Sequence, residues 1–163
     1  KGASGSANLA WSGIGQYEDL ICPYSMLRYV SAIANGGSVV EPSLLLDTPS
    51  GSNTNLLSTT TANKLRDMMN YNVSAHYGTN RFPGLNLCAK TGTAEHASLG
   101  SDHGAFICFA HRKDETQPDI AVALYGEKVA HGSWLAPVAE QILLTYYEMD
   151  AASEVTAFEN QAG

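Results

Sequence analysis

Two short segments, Ala105–His111 and Ile120–Tyr125, are apolar on both of their alternating faces. In the first, Phe106, Cys108 and Ala110 alternate with Ala105, Ile107 and Phe109. In the second, Ile120, Val122 and Leu124 alternate with Ala121, Ala123 and Tyr125. A strand with one solvated face keeps polar residues on that face, so both segments are predicted to be central strands covered on two sides. A third strand candidate, Leu87–Glu95, precedes them, and the links His96–Gly104 and Arg112–Asp119 are short and polar. A parallel crossover needs a dozen residues or more, so short links imply antiparallel neighbours. The expected fold is α+β: a three-stranded antiparallel sheet packed with helices.

Three helical patterns surround these strands. Pro23 opens the first, with Met26, Leu27, Val30, Ile33 and Ala34 on one face and Gly36-Gly37 closing it. Thr59 or Thr60 is expected to cap the second, whose Ala62, Leu65, Met68 and Met69 share a face. The third starts at Ser133, tolerates Pro137 in its first turn, and carries the stripe Leu135, Val138, Ala139, Ile142, Leu143, Tyr146 and Met149. Val39–Leu46 contains Pro42 and reads as an edge strand at best. Asp47–Asn55 is turn-forming throughout and reads as an exposed loop, and 70–86 shows no period and reads as a long loop. Residues 1–12 are expected to be a flexible lead-in, 13–150 one domain, and 151–163 a frayed acidic tail.

Charge excludes some partners. Nine Lys and Arg against 16 Asp and Glu give a net charge of −7, and the longest basic run is Arg112-Lys113. A nucleic-acid groove needs clustered cations, so no nucleic-acid partner is expected. No uncharged apolar run is long enough to span a bilayer. Cys22, Cys88 and Cys108 cannot all pair and form no CxxC, so neither a disulfide framework nor a zinc ribbon is implied; Cys88 and Cys108 read as small buried hydrophobes. The five histidines, His76, His96, His103, His111 and His131, show no metal-ligand spacing, and Glu95-His96 points its side chains to opposite faces of a strand. No metal or organic cofactor is expected.

The stretch that carries chemistry is Lys90-Thr91-Gly92-Thr93-Ala94-Glu95. Strand pleating puts Thr91 and Thr93 on one face, where both hydroxyls can donate to one carboxylate. Gly92 leaves the backbone uncovered, so an extended peptide can lie alongside as an added strand. Lys90 brings a positive charge to the same place. A rival reading, the phosphate-binding GxxxxGK[ST] loop, fails because Ala89 stands where glycine is required and no helix follows.

KTG is one of three signature elements of penicillin-binding proteins and serine β-lactamases, the others being SxxK and S-x-N. Further segments resemble the first family: Gly13-Ile14-Gly15-Gln16, then Cys22-Pro23-Tyr24-Ser25-Met26, then Ala32-Ile33-Ala34-Asn35-Gly36-Gly37 with Pro42 behind, and Gly78-Thr79 ahead of the KTG strand. From Gly13 to about Glu148 the chain is similar to the C-terminal part of a penicillin-binding-protein transpeptidase domain. The departures are as specific. No Ser is followed three residues later by Lys, the nearest approaches being Ser25–Arg28 and Thr61–Lys64; Ser6-Ala7-Asn8 fits S-x-N only formally, since in the family that element lies further upstream; and Cys22 replaces the usual capping Thr.

The resemblance implies a parent D,D-transpeptidase of the cell envelope, extracytoplasmic and anchored outside this chain. It would cross-link peptidoglycan stem peptides through an active-site serine that β-lactams trap. Lys90 would supply positive electrostatics, the Thr91 and Thr93 hydroxyls would hold the substrate carboxylate along the bare Gly92 backbone, and the Thr93 N–H would form half of the oxyanion hole. Without its SxxK serine this chain should be inactive alone. The alternative is a non-catalytic peptide-binding or scaffolding module. In the family, Ile120–Tyr125 pairs on its far side with an upstream strand, so this chain would expose that edge and part of the Leu135–Met149 stripe, and a homodimer through Ile120–Leu124 or a rearranged N-terminus covering the edge is expected.

Overall fold

The computed structural model describes residues 6–15, 20–45, 51, 53–95 and 101–149. Its centre is a three-stranded antiparallel sheet in the order β3 (Leu85–Ala94), β4 (His103–Arg112) and β5 (Ile120–Gly126). The register pairs Lys90 with Ile107 and Gly92 with Ala105, then Ile107 with Ala123. All three strands fall where the alternation predicts them, each longer by one to three residues.

The two apolar faces of β4 are used by two separate cores. Phe106, Cys108 and Ala110 pack with Leu87, Ala89, Val122 and, from the C-terminal helix α4 (Ala136–Tyr146), Ala139 and Leu143. On the other face Phe109 and Cys88 meet Val30, Ile33 and Ala34 of α2 (Pro23–Ala34) and Met69 of α3 (Thr59–Asn72). Phe106 and Phe109 are each at most 1% exposed, and burying a side chain of that kind contributes about 1.5–3 kcal/mol. The sheet is thus held between two helical layers, and each layer reaches the strand that carries Lys90.

Capping explains where the helices start. Cys22 caps α2: its Sγ accepts the Ser25 N–H at 3.4 Å, with Pro23 in the first turn. The cap of α3 is Ser58, whose Oγ accepts the Thr61 N–H at 3.1 Å; this corrects the assignment to Thr59 or Thr60, both of which lie inside the helix. After α2 the chain turns at Gly37, with φ at +109° and its N–H bonded to the Ala32 carbonyl at 2.7 Å. A Cβ there would stand 2.2 Å from the Leu57 carbonyl oxygen, so only glycine fits.

Other expectations need correction. Ser6–Ser12 forms a short helix, α1, in place of a flexible lead-in; Ala7, Leu9 and Ala10 are good helix formers. Within the expected 47–55 loop, Asn53–Asn55 forms β2, pairing antiparallel with β1 (Ser38–Val40), where the Ser38 hydroxyl donates to Asn55 Oδ1 at 2.6 Å. Met68 is exposed, because the buried face of α3 narrows to Ala62 and Met69. The 70–86 stretch is not a structureless loop: α3 runs to Asn72, continues as a wide π-type turn over Val73–Tyr77, and ends in a 3-10 turn over Thr79–Arg81. Ser133 lies within a 3-10 turn, Gly132–Leu135, and does not cap α4.

Part of the apolar stripe of α4 is uncovered: its inward face is Ala136, Ala139, Glu140, Leu143 and Leu144, while Val138, Ile142 and Tyr146 are exposed. On the inward face Glu140 meets Arg81 at 2.8 Å. Gln16, His96 and the expected tail 151–163 lie outside the described residues.

Candidate active site

Strand β3 is an edge strand, and its outward-facing backbone groups can be traced one by one. The Thr91 N–H points away from β4, donating to the Tyr77 hydroxyl at 3.0 Å. Antiparallel pairing sends both backbone groups of every second residue to the same side. Leu87, Ala89, Thr91 and Thr93 therefore share the outer side. Asn70 Nδ2 donates to the Leu87 carbonyl at 3.0 Å and Asn72 Nδ2 to the Ala89 carbonyl at 3.3 Å, both from the last turn of α3. The Thr91 carbonyl accepts from Lys90 Nζ. Side chains from α3 and the wide turn thus cover the edge as far as Thr91, and the exposed Gly92–Thr93 end of the strand runs on past them.

The four sequence-predicted site residues meet at that opening. Lys90, Gly92 and Thr93 are exposed and Thr91 is half-buried. Thr91 and Thr93 lie on one face by strand alternation, as the pattern predicts, but their hydroxyls have different surroundings. Thr91 Oγ1 lies 3.1 Å from the Tyr77 hydroxyl. Thr93 Oγ1 accepts the Gly132 N–H at 3.2 Å, which turns its proton away from that turn. Lys90 stands on the opposite face, and its ammonium curls to the edge to reach the Thr91 carbonyl. The Thr93 N–H faces outward beside it. A backbone donor, two hydroxyls and a cation around an uncovered strand edge suit a ligand that carries a carboxylate next to an acyl carbonyl.

Four contributors lie outside the sequence reading. Tyr77, Asn70 and Asn72 sit in the aperiodic 70–86 stretch, where only the density of Asn and aromatic residues hints at a role. Gly132, the fourth, carries no sequence signal.

The weaker candidates do not join this site. The Ser25 hydroxyl bonds to Cys22 Sγ at 3.2 Å as part of the α2 cap, and Thr61 belongs to the α3 cap. Ser6-Ala7-Asn8 sits on α1. His103 Nδ1 accepts the Lys128 N–H at 3.2 Å, and His111 Nδ1 lies 2.8 Å from the Arg112 carbonyl. Cys88 and Cys108 are buried, and burial pushes their thiols up to about 11 and about 12. Cys22 is exposed, and its hydrogen bonds from Ser25 lower its pKa from the ordinary thiol value.

Comparison with known proteins finds relatives over most of the chain. The family described as the penicillin binding protein transpeptidase domain matches residues 3–144. The peptidoglycan D,D-transpeptidase PbpA of Mycobacterium tuberculosis is 29% identical over 162 residues, covering 85% of this chain and 32% of the relative. The chain therefore spans about a third of the length of that curated relative. The imipenem acyl-enzyme complex of penicillin-binding protein A from M. tuberculosis superposes with a TM-score of 0.73 at 28% identity, covering 88% of this chain and 35% of the other. The D,D-transpeptidase domain of a peptidoglycan glycosyltransferase from Eggerthella lenta gives 0.69 at 27% identity, covering 86% and 38%. With the family matched over residues 3–144 and the fold superposing on these enzymes, the chain belongs to the penicillin-binding-protein transpeptidase family.

Proposed function

We propose that the protein carrying this chain is a D,D-transpeptidase that cross-links peptidoglycan stem peptides by serine acyl transfer and is acylated by β-lactams. The observation that carries this reading is the run Lys90 to Thr93 at the end of β3, with the Lys90 ammonium drawn to the Thr91 carbonyl and the Thr91 and Thr93 hydroxyls on one face. The serine, on a segment outside this chain, attacks the stem-peptide carbonyl. The oxygen that becomes negative is then stabilised by the Thr93 N–H and by the serine's own N–H. The Thr91 and Thr93 hydroxyls hold the substrate carboxylate, Gly92 adds no side chain between the strand and the peptide, and Lys90 supplies the positive field that favours both anions. The site lies in the cell envelope on the extracytoplasmic side; among the described residues no helix is long and apolar enough to cross a membrane. The exposed β5 edge favours a homodimer of the isolated chain.

The test is acylation of the complete protein by a labelled penicillin. Removing one preorganised donor or charge of this kind costs about 2.7–4 kcal/mol in the transition state, so Lys90→Ala should slow labelling by roughly 100- to 1,000-fold. Thr93→Val should cost less, since its backbone N–H survives. Rates within twofold of wild type for both variants would remove Lys90 and Thr93 from the site. A wild-type protein that binds stem peptide but takes no label would favour the non-catalytic module instead.

A further inference from the structure

Among the residues around the site, Tyr77 occupies the least accidental position. It ends the wide turn Val73–Tyr77, which closes through the Gly78 N–H on the Val73 carbonyl at 2.9 Å. Turns of this kind recur at functional sites, because the extra residue re-aims a side chain that a regular helix would send elsewhere. Here it sends the Tyr77 ring under the sheet, 5.9 Å from the Phe106 ring at 60°, so that the residue is only 9% exposed. Its hydroxyl emerges at the strand edge and meets one residue twice: it accepts the Thr91 N–H at 3.0 Å and lies 3.1 Å from Thr91 Oγ1.

A phenol hydroxyl has one proton and two lone pairs. One lone pair is committed to the Thr91 N–H. If Thr91 gave its proton to Tyr77, the second lone pair would be filled and the Thr91 hydroxyl would have only lone pairs to present to a ligand. With Tyr77 donating to Thr91 Oγ1, every group is used and the Thr91 proton is turned outward. A carboxylate only accepts hydrogen bonds, so the second arrangement is the one a carboxylate ligand selects. The donor chain also strengthens the terminal bond, since each hydroxyl polarises the next. We infer that Tyr77 is a positioning residue that sets the direction of the Thr91 hydroxyl, and through it the site's preference for ligands with a free carboxylate over those with a neutral ester. This inference rests on the carboxylate-holding role proposed above for Thr91.

The experiment compares acylation of the complete protein by benzylpenicillin and by its carboxyl methyl ester, and reads the ratio of the two second-order rate constants. Tyr77→Phe keeps the ring and removes the hydroxyl. The ratio should fall roughly tenfold, the size of one charge-assisted hydrogen bond. A Tyr77 that served only to brace the strand would slow both ligands equally, so an unchanged ratio overturns the inference. In a Thr91→Val background, Tyr77→Phe should leave the ratio where Thr91→Val put it; a further tenfold fall overturns the inference, because the effect would then not pass through Thr91. If Tyr77→Phe does not fold, Thr91→Ser and Thr91→Val decide: the serine variant should keep the wild-type ratio and the valine variant lose it, and equal ratios overturn the inference. A wild-type protein that takes up neither ligand overturns the acyl-transfer reading, and this inference with it.

Discussion

A Cβ placed on Gly132 would stand 2.2 Å from the Gly92 carbonyl oxygen. It would also lie 2.6 Å from the Ala105 carbonyl oxygen, so the 3-10 turn before α4 rests directly on the backbone of the two strands that flank the site. That closeness brings the Gly132 N–H to Thr93 Oγ1.

Gly132→Ala should therefore act on the site as well as on the fold. The added methyl meets backbone on both strands, which cannot rotate aside, so overpacking should cost about 1–3 kcal/mol. Lifting the turn also removes the Thr93 contact, and misplacing a reacting group by about 1 Å costs up to roughly 100-fold in rate. The expected outcome is a folded protein with a lowered melting temperature and penicillin acylation slowed at least tenfold. Thermal unfolding and labelling kinetics on the same sample separate the two effects.

The buried ion pair between Arg81 and Glu140 makes a different prediction. Both side chains are 8% exposed, and the two residues are 59 positions apart. Removing one partner strands the other charge in a dry environment, at a cost of about 3–5 kcal/mol. Arg81→Met and Glu140→Gln should each lower the urea midpoint accordingly. The double replacement Arg81→Met with Glu140→Leu should recover most of the loss, because no unpaired charge remains. Additive losses in the double variant would show that the two residues do not act as a pair.

These two cases also mark where the sequence stops being readable. The strands were legible because Ala105–His111 and Ile120–Tyr125 are apolar runs too short for helices and bounded by polar turns, and α2 because Pro23 and Gly36-Gly37 bracket a 3.6-residue period. The family was legible because the Lys90-to-Thr93 run stands with other family segments in the same order. Tyr77 reaches Thr91 only through a π-type turn in a stretch without a period, so no spacing announces the contact. On α4 Val138, Ile142 and Tyr146 are the uncovered part of the expected stripe, while Glu140, which no apolar period would place inside, is buried against Arg81 from 59 positions away. A pattern of apolar residues cannot register a charge that is buried because a distant charge meets it.

The cysteines give a pH-dependent test. Burial raises Cys88 to about 11 and Cys108 to about 12, whereas Cys22 is exposed and its pKa is lowered. At pH 8 a thiol with a pKa near 11 is ionised in about one molecule per thousand, so native protein should give one rapidly reacting thiol, Cys22, in a colorimetric assay. Denaturation should raise the number to three. The buried thiols bind their protons more tightly folded than unfolded. Their contribution to stability is therefore complete below the unfolded thiol value, about 8.5, and is lost as pH rises from there through about 11 and about 12. Cys88→Ala with Cys108→Ala should flatten the fall in stability over that alkaline range, as read from urea unfolding at several pH values.

The far edge of the sheet yields the last prediction. Among the described residues no strand pairs with β5 on its outer side, and Ile120–Leu124 contains neither Lys nor Pro to deter another strand. Trp134, Val138, Ile142 and Tyr146 are also exposed, at four-residue spacing along the final turn and α4. An unpaired ladder and an apolar row on the same molecule favour association, most simply as a two-fold dimer in which the β5 strands pair antiparallel. The isolated chain should therefore run as a dimer in multi-angle light scattering, with slow amide exchange along Ile120–Leu124. Ala123, inside the paired run, offers the control: Ala123→Lys would put on this edge the residue by which sheets deter edge-to-edge pairing, and should shift the chain toward monomer. A monomeric wild-type chain with fast exchange at Ile120–Leu124 would show that neither surface drives self-association.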